Sequence, residues 1–267
     1  MLLLLLLALL ALRLYLDNAA VVTKEYTVAS KAVPAGFSGL RIAQISDLHG
    51  NERLYRALTE KVRAVRPDLI FLTGDISDRE EQWEALAGLL EELTAIAPCY
   101  YCSGNHEWAD LAPEPFFQKL AQTGVTVLRN EWVTLERGGD TLVLAGLEDP
   151  NGYADMSSPE EVMASIREAT GADVLVLCHR PGLFPRLSAA GYGVVFSGHN
   201  HGGLFRLPFL GGVIGPSDFL PEYDKGLFRL GDSLMLVSPG LAGSNGIPRF
   251  WNRPEVPVAV LRPAEGR

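Results

Sequence analysis

The run Val194-Val-Phe-Ser-Gly-His-Asn-His-Gly-Gly203 opens as a short apolar strand and ends in a histidine-bearing glycine loop. Taken alone it is weak. Two histidines two apart would share a face on a strand, but in a loop they can simply be exposed. The same event recurs upstream. Residues 40–46 read as a buried strand ending in Asp47-Leu48-His49, and residues 69–73 as one ending in Gly74-Asp75. Residues 99–103 end in Gly104-Asn105-His106-Glu107, and residues 173–178 end in His179. All 5 histidines of the chain lie in these segments. In α/β sheets the carboxyl ends of the strands are where sites form. Carboxylate, amide and imidazole together are ligands of intermediate hardness, suited to Mn²⁺, Fe or Zn²⁺, with no thiol needed.

Around these strands the pattern alternates. Residues 51–65, 80–94, 115–123, 158–170 and 183–190 have helical periodicity, and Ser158-Pro159-Glu160-Glu161 reads as a capped start. Residues 24–30 alternate like an edge strand. Residues 125–128 form a further strand, and Arg137-Gly138-Gly139-Asp140 joins two strands as a hairpin. After residue 197 strands dominate, near 226–230, 233–238 and 256–261. Strand and helix alternating first, strands later, predicts a layered α/β fold with mixed sheets.

The chain has 267 residues, 48% of them hydrophobic and 21% charged, which excludes a disordered polymer. A net charge of −9 and a pI near 5.1 argue against a nucleic-acid partner. The charge is uneven: residues 1–179 carry 14 Lys+Arg against 26 Asp+Glu, and residues 180–267 carry 9 against 6. That suits carboxylates holding cations near arginines that meet an anion, and equally an ordinary soluble surface. Three cysteines exclude a disulfide framework. Cys99 and Cys102 have C-x-x-C spacing, but on a strand they point to opposite faces and read as packed thiols. Tyr100 and Tyr101 read as strand or core residues.

Residues 1–16 contain 11 leucines, broken by Arg13. The uninterrupted run is short for a span of roughly 20 apolar residues. No basic segment precedes it and no clear cleavage site follows. Residues 1–22 are therefore expected to be a membrane anchor or uncleaved signal, with a buried hairpin helix as the weaker alternative. The protein is expected to be membrane-associated through this single N-terminal anchor. Arg13 and Lys24 follow the run, which faintly favours a cytoplasmic body.

Asp47-x-His49, Gly74-Asp75, Gly104-Asn105-His106-Glu107, His179 and Gly198-His199-Asn200-His201 resemble, in order, the five blocks of calcineurin-like metallophosphoesterases. The leucine-rich start, His201-Gly-Gly-Leu-Phe-Arg-Leu-Pro208, Pro248-Arg249-Phe250 and Pro254-Glu255 resemble the membrane-anchored bacterial branch. Arg180 after His179 and Leu204 after the last block depart from that branch. The resemblance implies a layered α/β/β/α sandwich with two mixed β-sheets over residues 38–263. It implies two divalent ions, one held by Asp47, His49, Asp75 and His201, the other by Asp75, Asn105, His179 and His199. Asp75 would bridge them, and His106 would face the leaving group. Gly74-Asp75-x-x-Asp78 resembles members in which the second Asp orients that His; Asp78 reads equally as a helix cap before Glu80-Glu81. Arg79 reads as solvated.

Two cations a few Å apart can share a hydroxide, lower its pKa and neutralise charge on phosphoryl oxygens. A histidine of near-neutral pKa can then protonate the leaving oxygen. The expected activity is hydrolysis of a phosphodiester or pyrophosphate. A non-catalytic scaffold would have lost ligands, and a general phosphomonoesterase stays open. No H-E-x-x-H, G-x-S-x-G or P-loop supports a peptidase, serine hydrolase or kinase. Residues 203–215 are unusually apolar for a loop. They read as a strand and turn packed on the core, or as an apolar wall beside the metals for a lipid-linked substrate.

Overall fold

The computed structural model describes residues 1–109, 111–152, 157–216, 218–244 and 246–264. The first half runs α1 (Leu2–Ala19), β1 (Val22–Ser30), β2 (Arg41–Ile45), α2 (Tyr55–Val65), β3 (Leu69–Thr73), α3 (Trp83–Thr94) and β4 (Cys99–Cys102). Then come α4 (Asn105–Ala109), α5 (Pro113–Gln122), β5 (Thr126–Val127), β6 (Glu131–Arg137), β7 (Asp140–Gly146), α6 (Pro159–Ala169), β8 (Asp173–Leu177) and α7 (Phe184–Ala190). The last part is β9 (Val194–Ser197), β10 (Phe205–Leu207), β11 (Gly211–Ile214), β12 (Gly226–Leu230), β13 (Ser233–Val237) and β14 (Glu255–Pro263).

One sheet has the order β1-β14-β2-β3-β4-β5, the other β12-β13-β9-β8-β7-β6. Both are mixed: β14 runs antiparallel to β2, and β12 and β6 run antiparallel to β13 and β7. Strand alternation explains the layering. On β3, Phe71 faces the second sheet and meets Phe196 at 4.9 Å, while Ile70 and Leu72 face outward to Leu58, Leu86 and Leu90 of α2 and α3. On β8, Leu175 and Leu177 join the inter-sheet core, and Val174 and Val176 pack with Ile166 and Leu187 of α6 and α7. The result is helix, sheet, sheet, helix. Cys99 and Cys102 sit in different layers, and Tyr101 is buried beside Phe117.

β1 pairs with β14 along its whole length, so the first sheet reaches back to Val22. α1 leads into β1 through only Ala20 and Val21. Its leucines up to Leu12 are exposed, but Leu14 and Leu16 are half-buried, Asp17 is buried, and Val21 joins the core. The foot of α1 is tied to the loop before β14. Trp251 N–H donates to Asp17 Oδ2 at 2.7 Å, Arg249 N–H to Asn18 Oδ1 at 2.9 Å, and Arg13 pairs with Asp17 at 2.7 Å.

One helix escaped the sequence reading, and one strand-and-turn segment packs differently from the expectation. α4 is five residues long, too short to show periodicity. The β10–β11 hairpin lies in residues 203–215, and its tip is exposed rather than packed on the core: Phe209 is fully exposed and Leu210 is 58% exposed.

Candidate metal centre

The carboxyl ends of β2, β3 and β4 meet those of β8 and β9 across the sandwich, and the predicted ligands gather there. Asp47, His49 and His201 form one group of converging ligand atoms, and Asp75, His179 and His199 a second. A third group is His49, Asp78 and His106. The close approach demands glycine. A Cβ on Gly198 would strike Ser46 and Asp47, and one on Gly104 would strike Asp75. Asp47, His49, Asp75, His199 and His201 all adopt left-handed backbone, φ between 49° and 69°.

Second partners fix the rings. His179 Nδ1 lies 2.8 Å from Thr73 O, His201 Nδ1 3.0 Å from Ala242 O, and His49 Nδ1 2.6 Å from Asp78 Oδ1. With each Nδ1 so engaged, each Nε2 is turned toward the clusters. His49 Nε2 and His201 Nε2 are 3.3 Å apart, and Asp47 Oδ1 is 3.5 Å from the latter. Two ring nitrogens and a buried carboxylate facing one point could hold a cation between them. In the other cluster His179 Nε2 faces Asp75 Oδ2 at 3.2 Å, and the buried Asn105 Oδ1 has no hydrogen-bond partner. These donors fit divalent cations of intermediate hardness.

The electrostatics agree. Burial alone would push the Asp75 carboxyl up, but His179, then His49 and His106, hold it well below the usual carboxylate range. Burial opposes charge on His179, yet Asp75, Asp47 and Asp149 raise its pKa to about 10. Burial, with His179 and Arg180, lowers His199 to about 3.

Asp78 lies beside two of the histidines, and the cap position before Glu80 is Arg79. Its Oδ1 lies 2.6 Å from His49 Nδ1 and 3.2 Å from His106 Nδ1. Arg79 is exposed, as expected. Leu204 is 1% exposed, so its departure from the branch concerns packing and not substrate contact. The adjacent cavity, about 460 Å³, is lined by Asn151, Arg180, Leu183, His199, Asn200 and Tyr223 among others, and no hairpin residue contributes.

Sequence reasoning missed the braces. Fully buried Glu107 accepts N–H bonds from Asp75 at 3.0 Å, Ile76 at 2.8 Å and Gly104 at 2.7 Å, which locks two ligand loops together. Burial and Asp75 push its carboxyl up to about 7. Gln82 Oε1 accepts from Asp78 N and Arg79 N, and its amide donates to His49 O. Arg249, fully buried, donates to Ala242 O at 2.7 Å and Pro239 O at 2.6 Å, and Asn252 donates to His201 O at 2.6 Å. Arg180 forms a two-point pair with Asp149 at 2.7 and 3.1 Å and lies 3.3 Å from His199 Nε2. None carries a local sequence signal, although Glu107 and Arg249 stand within the quoted blocks.

Residues 40–203 match the family model of the calcineurin-like phosphoesterases. The uncharacterized metallophosphoesterase YkuE of Bacillus subtilis is 29% identical over 257 residues, 93% of this chain and 88% of its own length. The UDP-2,3-diacylglucosamine pyrophosphatase LpxG of Chlamydia trachomatis is 27% identical over 83% of each chain. Among solved structures, TT1561 of Thermus thermophilus matches with a TM-score of 0.51 at 16% identity, over 76% of this chain and 90% of that one, a likeness of fold. Matched over well more than half its length, and with its own histidines and carboxylates converging where that fold's strands end, the chain belongs to the calcineurin-like phosphoesterases, metal-dependent hydrolases of phosphate esters.

Proposed function

We propose that the protein is a two-cation phosphoesterase that cleaves phosphodiesters or pyrophosphates of membrane-associated substrates. The side-by-side clusters Asp47/His49/His201 and Asp75/His179/His199 carry this reading. Asp47, His49, Asp75 and His201 would hold one ion, and Asp75, Asn105, His179 and His199 the other, with Asp75 shared. When bound, such ions lower the pKa of a water and offset charge on the phosphoryl oxygens. His106 acts as the general acid. Its Nδ1 lies 3.2 Å from Asp78 Oδ1, a carboxylate that favours the protonated ring a departing oxygen needs. Arg180, steadied by Asp149 at the rim of the cavity, meets a phosphoryl oxygen or a second phosphate. The membrane part of the reading is supported by the apolar α1, long enough to cross a bilayer, and by the likeness to a diacylglucosamine pyrophosphatase.

The test uses the full chain stripped by chelator and reloaded with Mn²⁺, Fe²⁺ or Zn²⁺. Activity on nitrophenyl phosphodiesters should vanish and return, with two ions bound per chain. kcat/KM should favour a lipid-linked ester over a soluble one sharing its headgroup. Full activity without metal would overturn the chemistry, and equal kcat/KM values would overturn the lipid preference.

A further inference from the structure

The β10–β11 hairpin begins four residues after His201, yet carries its apolar side chains outward. Leu207, Phe209, Leu210, Phe219, Leu220 and Trp251 are exposed by 41–110%. These side chains are not scattered. Phe205 at the base of the hairpin bridges Phe250 and stacks on its ring at 4.7 Å. Phe250 meets Trp251 at 5.3 Å, and Arg13 of α1 lies over the Trp251 ring at 5.9 Å. Ile214 bridges Phe219 on the other side of the hairpin. The apolar surface is therefore continuous with the foot of α1.

The sheet register adds a second argument. β1 runs parallel to β14, and β14 antiparallel to β2, so the start of β1 lies at the edge where β2 delivers Asp47 and His49. Val22 pairs with Glu255, two strands from β2, which sets the foot of α1 roughly 10 Å sideways from the ligand loops. The link to α1 adds a third. With only two residues between α1 and β1, no stalk holds the body away from a bilayer.

We propose that the hairpin tip Phe209-Leu210, with Phe219, Leu220 and Trp251, seats in the headgroup boundary of a lipid bilayer, so that the metal-bearing edge of the sheets faces the membrane surface. This rests on α1 being a bilayer span. The hairpin then presses apolar side chains into the interface as an interfacial helix does, and Trp251 and Arg13 occupy the level where indole rings and snorkelling arginines are found. The base stays rigid because Arg206 is held by Gly202 O and Asp224. Membrane seating and the His199–His201 loop are thus mechanically joined.

The test places an environment-sensitive fluorophore on the full chain, reconstituted in phosphatidylcholine–phosphatidylglycerol vesicles. Phe209→Cys and Leu210→Cys carry the probe at the tip, and Gly171→Cys carries it before β8, at the opposite edge of the sheets. The three native cysteines are buried. At 209 and 210 emission should shift to shorter wavelength and be quenched by nitroxides near the top of the acyl chain, while the probe at 171 stays in water. A probe at 209 that behaves like the one at 171 overturns the docking. So does shielding that rises with the protein-to-lipid ratio, which would mark a second copy as the occupant. An alkaline carbonate wash reads α1 separately: a chain washed off overturns the span and the docking together, whereas a retained chain with a water-exposed tip overturns the docking alone.

Discussion

Asp78→Asn removes one charge from a carboxylate whose single oxygen serves both His49, at 2.6 Å, and His106, at 3.2 Å. Opposite unit charges 3.2 Å apart attract by about 5 kcal/mol at an effective dielectric constant of about 20. The Asp78 and His106 side chains are 30% and 24% exposed, so solvent screens about half of that. Roughly 2–3 kcal/mol remains to favour a protonated His106, or about 30- to 150-fold in rate. His106→Gln removes the acid itself and should cost on the order of 10²–10⁴. Both losses should shrink for nitrophenol, which leaves without a proton, and be full for alkyl leaving groups. The assay is kcat/KM against leaving-group pKa for the wild type, both single variants and the double variant, with metal content checked throughout. The two effects should not add, because Asp78 acts through His106, and the cycle should return a coupling of about 2–3 kcal/mol. Additive losses, or equal losses for nitrophenyl and alkyl esters, would refute the assignment and leave Asp78 as a support for His49 alone.

Asp75→Asn should be the most damaging ligand change, leaving less bound metal per chain by elemental analysis than any other single ligand variant, since the proposed ligand sets share its carboxylate. Metal-free protein at pH 7 holds a proton on His179, where Asp75 outweighs burial and raises the pKa to about 10; at His49 burial is likewise outweighed, by Asp78 and Asp75, and the shift is in the same direction. Metal loading should therefore release about one to two protons, and apparent affinity should rise with pH through the folded pKa values; calorimetry in buffers of different ionisation enthalpy reads the number. Glu107→Gln puts an amide donor against backbone donors that now share a carboxylate, and should cost roughly 2–4 kcal/mol in chemical unfolding. Arg180→Ala should raise KM for a pyrophosphate more than for a monoester while metal content holds; equal changes would place Arg180 in support of His199 only.

Much of the site was legible because chemistry concentrates at strand ends. A buried strand announces itself as an apolar run, and the polar residue that follows it marks the edge, so Asp47, Asp75, His179 and His199 could be read one strand at a time. Asp78 was ambiguous because an acid before Glu80-Glu81 satisfies a cap and a site equally; only the three-dimensional position of His49 and His106 decides. Glu107, Gln82 and Arg249 act across distances of 3 to 33 residues along the chain, through backbone groups that no side-chain pattern encodes. The hairpin was misread for a related reason. Apolar composition reports that a segment leaves water, but not whether it enters the core or another medium.

The left-handed backbone at Asp47, His49, Asp75, His199 and His201 bears on how this fold can change over generations. A non-glycine residue in that region costs about 1–2 kcal/mol relative to its preferred one. Glycine escapes that cost, so the substitutions that most relieve the ligand loops are the ones that erase the ligands. A lineage released from selection for hydrolysis would gain stability by drifting toward glycine at these five places. Side chains at all five are thus what a metal centre on these loops would require at a cost in stability, and their replacement one by one in other chains of this fold would mark its loss.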